Sequence, residues 1–223
     1  MPFKKSHVPP ELLEKNRPQQ QRAVQTYEGI LKAACELLIE LGVERISTNL
    51  IAERAGITVP ALYRYFKNKY AVLYALGARL MDRQNQILVE WHETYFDPSE
   101  PEKLFAEVEG LVRQTYEVTR EQPASLAVLS AMRAIPILQE VRLQSHKRMT
   151  QWLLSQWQAY YKVDEDESRI ALQSRLSMEV AMTAVEMAIE DDETSAEMAI
   201  EEAAKIIVLY WRDMIKSLEY IGQ

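Results

Sequence analysis

Val59, Pro60, Ala61, Arg64 and Tyr65 are spaced to share the outward face of one short helix. They offer small apolar side chains, one guanidinium and one aromatic ring. A helix with that surface can enter a major groove and meet base edges there. No comparable set for covalent chemistry is present. His7, His92 and His146 are far apart in sequence and none has a partner at helical metal-ligand spacing, so no metal site is expected. The six glycines, at 29, 42, 56, 77, 110 and 222, form neither a phosphate loop nor a dinucleotide fingerprint. No serine sits in a nucleophile elbow, and the carboxylates gather in turns such as 164–167 and 190–193. An enzyme reading therefore has no residues to name, and no cofactor is expected.

The stretch from Ser47 to Lys69 must hold that helix in place. Ser47 or Thr48 can cap a first helix running to Ala55, Gly56 supplies a left-handed residue to end it, and Thr58 can cap a second helix from Val59. Pro60 falls in the second helix's first turn, where a missing amide hydrogen costs nothing. Leu50, Ile51, Ala55, Ile57 and Leu62 can form a small core between the two, which is helix-turn-helix geometry. Two short amphipathic helices about a glycine also occur in helical proteins that bind no nucleic acid.

Three linked blocks narrow the reading: Ile30-Leu31-Lys32-Ala33-Ala34, then Ile51-Ala52-Glu53-Arg54-Ala55-Gly56-Ile57-Thr58, then Leu62-Tyr63-Arg64-Tyr65-Phe66-Lys67-Asn68-Lys69. Residues 24–76 closely resemble the signature of TetR-family transcriptional regulators. Leu50 departs from it, since the family often has there an acidic residue that completes a capping box with Ser47. The resemblance implies phosphate contacts for Thr48, Tyr63 and Lys69 and base-edge contacts for Thr58, Val59, Pro60 and Ala61. Three of those four offer only apolar contacts, suited to thymine methyl groups. Arg64 can take guanine bidentately or bind phosphate, and Asn49 is expected on the backbone.

Of 223 residues, 48% are hydrophobic, enough for a packed core, and the net charge is -7. Residues 1–70 carry eleven Lys and Arg against seven Glu, a balance of +4; the remainder carries 15 basic and 26 acidic residues, a balance of -11. Phosphate binding needs local positive charge only, because salt screens exposed charges beyond ~8 Å. Such runs also arise as ordinary solvated faces. The apolar run Ile206 to Trp211 is far shorter than the ~20 residues that span a bilayer. The N-terminus has lysines without a following apolar block, so a cytoplasmic protein without a membrane partner is expected. Cys35, the single cysteine, is expected as a buried thiol on the first helix.

The fold class expected is all-α, with about nine helices and no strand. Residues 1–17 are expected as a flexible basic arm, in which Lys4, Lys5, Lys15 and Arg17 can reach a minor groove or serve no role. Residues 18–68 form the helix-turn-helix domain, the first helix running from near Pro18 to Leu41 with Gly42 as its stop. Residues 69–223 form a ligand-binding and dimerisation domain. Its helices are expected from Asn68 to about Thr94, Glu102 to Gln122, 124 to 134, 136 to Tyr161, 164–167 to about Ile189, and Thr194 or Ser195 to Tyr220.

Ala181, Ala184, Val185 and Ala188, with Ile200, Ala203, Ile207, Tyr210, Trp211, Met214 and Leu218, give the last two helices more apolar surface than one chain is expected to bury. Pairing with a second copy would make a four-helix bundle. In TetR-like proteins this forms the homodimer, and a palindromic double-stranded DNA operator follows, its half-sites roughly 34 Å apart or more. The resemblance also implies a small-molecule effector within the second domain that relieves repression. For a largely apolar cavity the candidates are Trp91, Tyr116, Met132, Met149, Trp152 and Met178, with Arg133 or His146 as polar contact. All of these equally suit ordinary core or surface. Two other readings stay open: a TetR-shaped helical protein that binds a small molecule without DNA, and a protein-interaction bundle. Tyr63 with Lys69 argues against both, since neither needs an exposed phosphate-contact set.

Overall fold

The computed structural model describes residues 8–15, 18–163, 167–216 and 218–221. Lys4, Lys5, His7, Arg17 and Asp164 to Asp166 lie outside the described residues. Ten helices occur among the described residues: α1 Gln21–Arg45, α2 Thr48–Arg54, α3 Val59–Leu62, α4 Lys69–Tyr95, α5 Pro101–Ala106, α6 Val108–Glu121, α7 Ser125–Ala134, α8 Pro136–Gln158, α9 Glu167–Glu190 and α10 Ala196–Lys216. The chain is all-α apart from a two-residue antiparallel ladder, β1 Tyr161–Lys162 with β2 Glu219–Tyr220.

Two compact units are present. The first comprises the described residues up to Asp82 with Gln122–Gln144, and the second Arg83–Glu121 with the described residues from Ser145 onward. Helices α4 and α8 therefore contribute to both. This division follows packing and is distinct from the functional division expected at residue 68.

The first unit's core forms where α1, the helix-turn-helix and α7 meet. Ile30, Leu31, Ala33, Ala34, Leu37 and Leu38 bury the α1 stripe against Ile51, Leu62, Phe66 and Leu73. Gly42 interrupts α1 with φ 72 and ψ 170, so the long helix ends at Leu41 and one further turn reaches Arg45. Asn68 Oδ1 accepts from Ala71 N at 2.9 Å and caps α4. Gly77 on α4 meets Met132 on α7: a Cβ added there would lie 2.6 Å from the Met132 sulfur.

Four sequence expectations are corrected. Residues 8–15 are packed, not a free arm: Leu12 is fully buried, Lys15 N–H donates to the Tyr65 carbonyl at 2.8 Å, and Lys67 Nζ donates to the Pro10 carbonyl at 2.6 Å. The helix expected over Glu102 to Gln122 is two, α5 and α6, because Glu107 leaves helical angles (φ -101, ψ 3) while its carbonyl accepts Trp91 Nε1–H at 2.9 Å. The helices expected to reach Tyr161 and Tyr220 stop at Gln158 and Lys216, and the chain beyond each joins the ladder. Turn hydrogen bonds close the helix ends, Ala159 N–H to the Ser155 carbonyl at 3.2 Å and Leu218 N–H to the Ile215 carbonyl at 3.0 Å, and the ladder pairs the backbone beyond them.

The second unit's core is aromatic. The Trp211 ring lies 6.2 Å from Trp91, 6.2 Å from Trp157 and 6.3 Å from Phe105. Trp211 Nε1 donates to Ser177 Oγ at 2.8 Å, so the indole's polar atom is satisfied inside.

The packed N-terminal segment generates a stability prediction. Leu12→Ala is expected to destabilise the first unit by about 2–4 kcal/mol, as a full leucine is lost from a closed core. Leu13→Ala, at a position 46% exposed, is expected to change stability by less than about 0.5 kcal/mol. Urea denaturation of both variants checks this.

Candidate nucleic-acid interface

Ser47 is the N-cap of α2, its side chain accepting from Leu50 N at 3.3 Å, and Thr58 caps α3 by accepting from Ala61 N at 3.3 Å. Between them Gly56 has φ +66, its N–H donates to the Glu53 carbonyl at 3.0 Å, and Ile57 N–H reaches back to the Ala52 carbonyl at 3.0 Å. These two bonds are a Schellman ending, which consumes the last carbonyls of α2 and turns the chain sharply. Ile51 and Leu62 are buried, and Leu50, Ala55, Ile57 and Val59 pack partly against the same core. Arg54 on α2 ties back to α1, with Nη2 2.7 Å from Glu40 Oε2, and the guanidinium hydrogen bond holds the Glu40 carboxyl below its ordinary pKa.

Asn49, Thr58, Pro60, Tyr63 and Arg64 are exposed, and Thr48, Val59, Ala61 and Lys69 are half-buried. The Thr48 and Tyr63 hydroxyls lie 3.2 Å apart, joining the start of α2 to the end of α3. Lys69 Nζ donates to the Val43 and Ile46 carbonyls, both at 3.2 Å, beyond the end of α1's long segment. An ammonium has three donors, so two serve the fold and one is left over.

Tyr65, expected on the outward face, is buried. Its ring meets Tyr27 edge-on at 6.2 Å, and Phe66 stacks on the same Tyr27 at 5.2 Å. Helix α3 ends at Leu62, so the angular spacing that would aim Tyr65 outward does not extend to it.

The other expected sites are dispersed. Met132 and Arg133 belong to the first unit, whereas Trp91, Tyr116, His146, Met149, Trp152 and Met178 belong to the second. Met132 is buried against Gly77, Arg133 is exposed, and Trp91 is closed into the aromatic core. Tyr116 is half-buried beneath the Arg120 guanidinium, and His146 Nδ1 lies 2.9 Å from Glu179 Oε1. The expected pairing face is corrected. Ala184, Val185, Ile200, Ile207, Trp211 and Met214 point into the chain's own core; Ala181 and Ala188 are half-buried. The apolar residues exposed on these helices are Leu172, Leu176 and Met187 on α9 and Met198, Ile206 and Leu209 on α10.

Residues 30–76 match the family described as bacterial regulatory proteins, tetR family. Over these residues the chain is similar to the TetR family. In the same region this chain is 44% identical over 54 residues to the tetracycline repressor protein class C of Escherichia coli, 24% of this chain and 25% of that one. An uncharacterized HTH-type transcriptional regulator of Mycobacterium tuberculosis is 29% identical over 119 residues, 53% of this chain and 49% of its own. The matches thus span about a quarter to a half of these relatives' lengths. In fold the likeness extends further. A putative TetR-family regulator from Syntrophomonas wolfei superposes with a TM-score of 0.65 at 17% identity, covering 84% of this chain and 96% of that one. SmeT, the repressor of the Stenotrophomonas maltophilia multidrug efflux pump SmeDEF, gives 0.61 at 20% identity over 83% and 91%. Among the described residues no helix is long and apolar enough to cross a membrane.

The turn in this TetR-type domain is open to a direct test. Nothing lies within 4 Å of a Cβ added at Gly56, so Gly56→Ala meets only the backbone cost of φ +66, about 1–2 kcal/mol. Gly29→Ala, equally uncrowded but within α1, is expected to stabilise by up to about 1 kcal/mol. Opposite signs in thermal or urea unfolding are the expected result.

Proposed function

We propose that this protein is a DNA-binding transcriptional regulator in the cytoplasm, a repressor that holds a palindromic operator as a homodimer and releases it on binding a small molecule. The observation that carries this reading is the helix-turn-helix itself, with α3 presenting Thr58, Val59, Pro60 and Ala61 beside the exposed Arg64. In this reading α3 lies in the major groove, its apolar side chains against thymine methyl groups and Arg64 on guanine or phosphate. The Thr48 and Tyr63 hydroxyls and the remaining Lys69 donor hold the backbone, with Asn49 beside them. Residues 18–68 serve as the DNA-binding domain and 69–223 as the effector and dimerisation domain.

Dimerisation is assigned to the exposed apolar stripe of Leu172, Leu176, Met187, Met198, Ile206 and Leu209, because the inward residues of the same helices are already covered. A stripe of large apolar side chains left to water on two adjacent helices is suited to a second copy of itself. Effector release requires that the small molecule bind one dimer geometry more tightly than the other.

The test begins with selection of bound duplexes from a random pool. A palindromic consensus with steeply salt-dependent affinity is expected; binding no better than nonspecific at low salt, with and without cell extract, overturns the reading. On the selected duplex, Tyr63→Phe is expected to weaken binding about fivefold, for a lost hydrogen bond worth ~1 kcal/mol, while lowering the stability of the free chain by less than about 1 kcal/mol through loss of the exposed Thr48 contact. Leu209→Arg is expected to yield folded monomers by sedimentation and to lose cooperative occupancy of the two half-sites. A dimer that survives this change contradicts the assigned face.

A further inference from the structure

Helix α3 is followed by a short non-helical link, residues 63–68, before α4 begins. A four-residue helix has no stability of its own, so whatever holds this link also holds the helix. Residues 8–15 hold it from one side. Leu12 N–H turns back to the Pro9 carbonyl at 2.9 Å, and its side chain is fully buried in the first unit's core, against which Val8 also packs. Lys15 N–H donates to the Tyr65 carbonyl at 2.8 Å, while Lys67 Nζ and Asn68 Nδ2 donate to the Pro10 and Glu11 carbonyls at 2.6 and 3.3 Å. Glu14 Oε1 accepts the Tyr27 hydroxyl at 2.7 Å, and the Tyr27 ring is the one that Tyr65 meets and Phe66 stacks on.

Two features separate this segment from ordinary core closure. Its polar contacts to the rest of the unit named above all land on the link or on Tyr27, whose ring carries both aromatic residues of the link. Asn68 in turn accepts from Ala71 N through Oδ1 at 2.9 Å, so a single amide ties the segment to the first turn of α4. The segment carries Lys15 against Glu11 and Glu14 and brings no net positive charge toward a phosphate backbone. Its contribution is therefore geometric. The residues that match the tetR family begin at Ile30, so the segment is an addition to the shared helix-turn-helix.

We propose that residues 8–15 are a clasp that holds the corner between α3 and α4 in its DNA-binding orientation, with Leu12, Glu14 and Lys15 as positioning residues for the interface. This rests on the DNA-binding reading above and adds to it an element outside the helix-turn-helix. Tyr63 and Arg64 lie in the link and Lys69 follows it, so backbone freedom there has to be lost on binding DNA unless it is already lost on folding. The clasp removes it on folding. Untying the clasp lowers operator affinity without removing any contact to DNA, and the number of phosphates neutralised stays the same.

The test compares Leu12→Ala with Leu138→Ala, which removes an equally buried leucine from the same core on α8. Both full-length variants are expected to lose similar stability, and both are measured at a temperature where circular dichroism shows them folded. On the selected duplex Leu12→Ala is expected to bind at least about fivefold more weakly than Leu138→Ala, with the salt slope of the native chain. Without DNA, the Tyr65, Phe66 and Ala71 amides are expected to exchange with solvent deuterium at least about threefold faster in Leu12→Ala than in Leu138→Ala. Asn68→Ser is the milder variant: serine still caps α4 but is too short to reach the Glu11 carbonyl, and operator binding at least about twofold weaker at an unchanged salt slope is expected. Equal operator affinity in the two leucine variants, equal exchange, or a reduced salt slope overturns the clasp, the last because it means that a phosphate contact was lost. Failure of the regulator reading shows separately, as a native chain that selects no duplex, and the exchange comparison then still decides whether residues 8–15 hold the link.

Discussion

The placement of α3 depends on one backbone turn. Gly56 at φ +66 lets Ile57 N–H return to the Ala52 carbonyl, so α2 ends and the chain leaves at a steep angle within two residues. A side chain at that position would oppose the turn by about 1–2 kcal/mol without touching anything. The N-caps at Ser47 and Thr58 then fix where each helix begins, and the buried pair Ile51 and Leu62 fixes how they cross. Helix α3 has four residues, too few to be stable alone, so its orientation is set entirely by these neighbours.

Several interface residues serve the fold before they can serve DNA. Lys69 spends two of its donors on the carbonyls of Val43 and Ile46, tying the start of α4 to the region where α1 ends. Lys67 and Asn68 hold the Pro10 and Glu11 carbonyls, and Tyr65 gives its carbonyl to Lys15. The N-terminal segment, the turn after α3 and the start of α4 are therefore one hydrogen-bonded assembly around Tyr27, Tyr65 and Phe66. Basic residues counted from sequence overstate what the surface offers, because Arg54 is spent on Glu40 and Glu36.

Features carried by local chemistry were legible in the sequence: both caps, the left-handed glycine, the break at Gly42 and the apolar stripes of α1 and α4. Features decided by long-range packing were not. Tyr65 reads as outward on helical spacing, yet the helix stops at Leu62 and its ring turns to Tyr27. Leu12 lies in a polar, proline-containing segment with no periodicity to mark it, and only the closed core shows that it is buried. On α10 both faces are apolar, Ile200, Ile207 and Trp211 on one and Met198 and Leu209 on the other. Composition says that such a helix has two partners; only packing says which face meets its own chain.

The central claim is that α3 reads bases, and changing one of its exposed residues tests it most directly. Pro60 is exposed in the first turn of α3, and glutamine placed there can hydrogen-bond the adenine edge. Duplex selection run in parallel on the native chain and on Pro60→Gln is predicted to give two consensus sequences that differ at one symmetric position in each half-site and agree elsewhere. An identical consensus from a folded variant would contradict the account, because the helix that the whole first unit orients would then not be the element in contact with sequence.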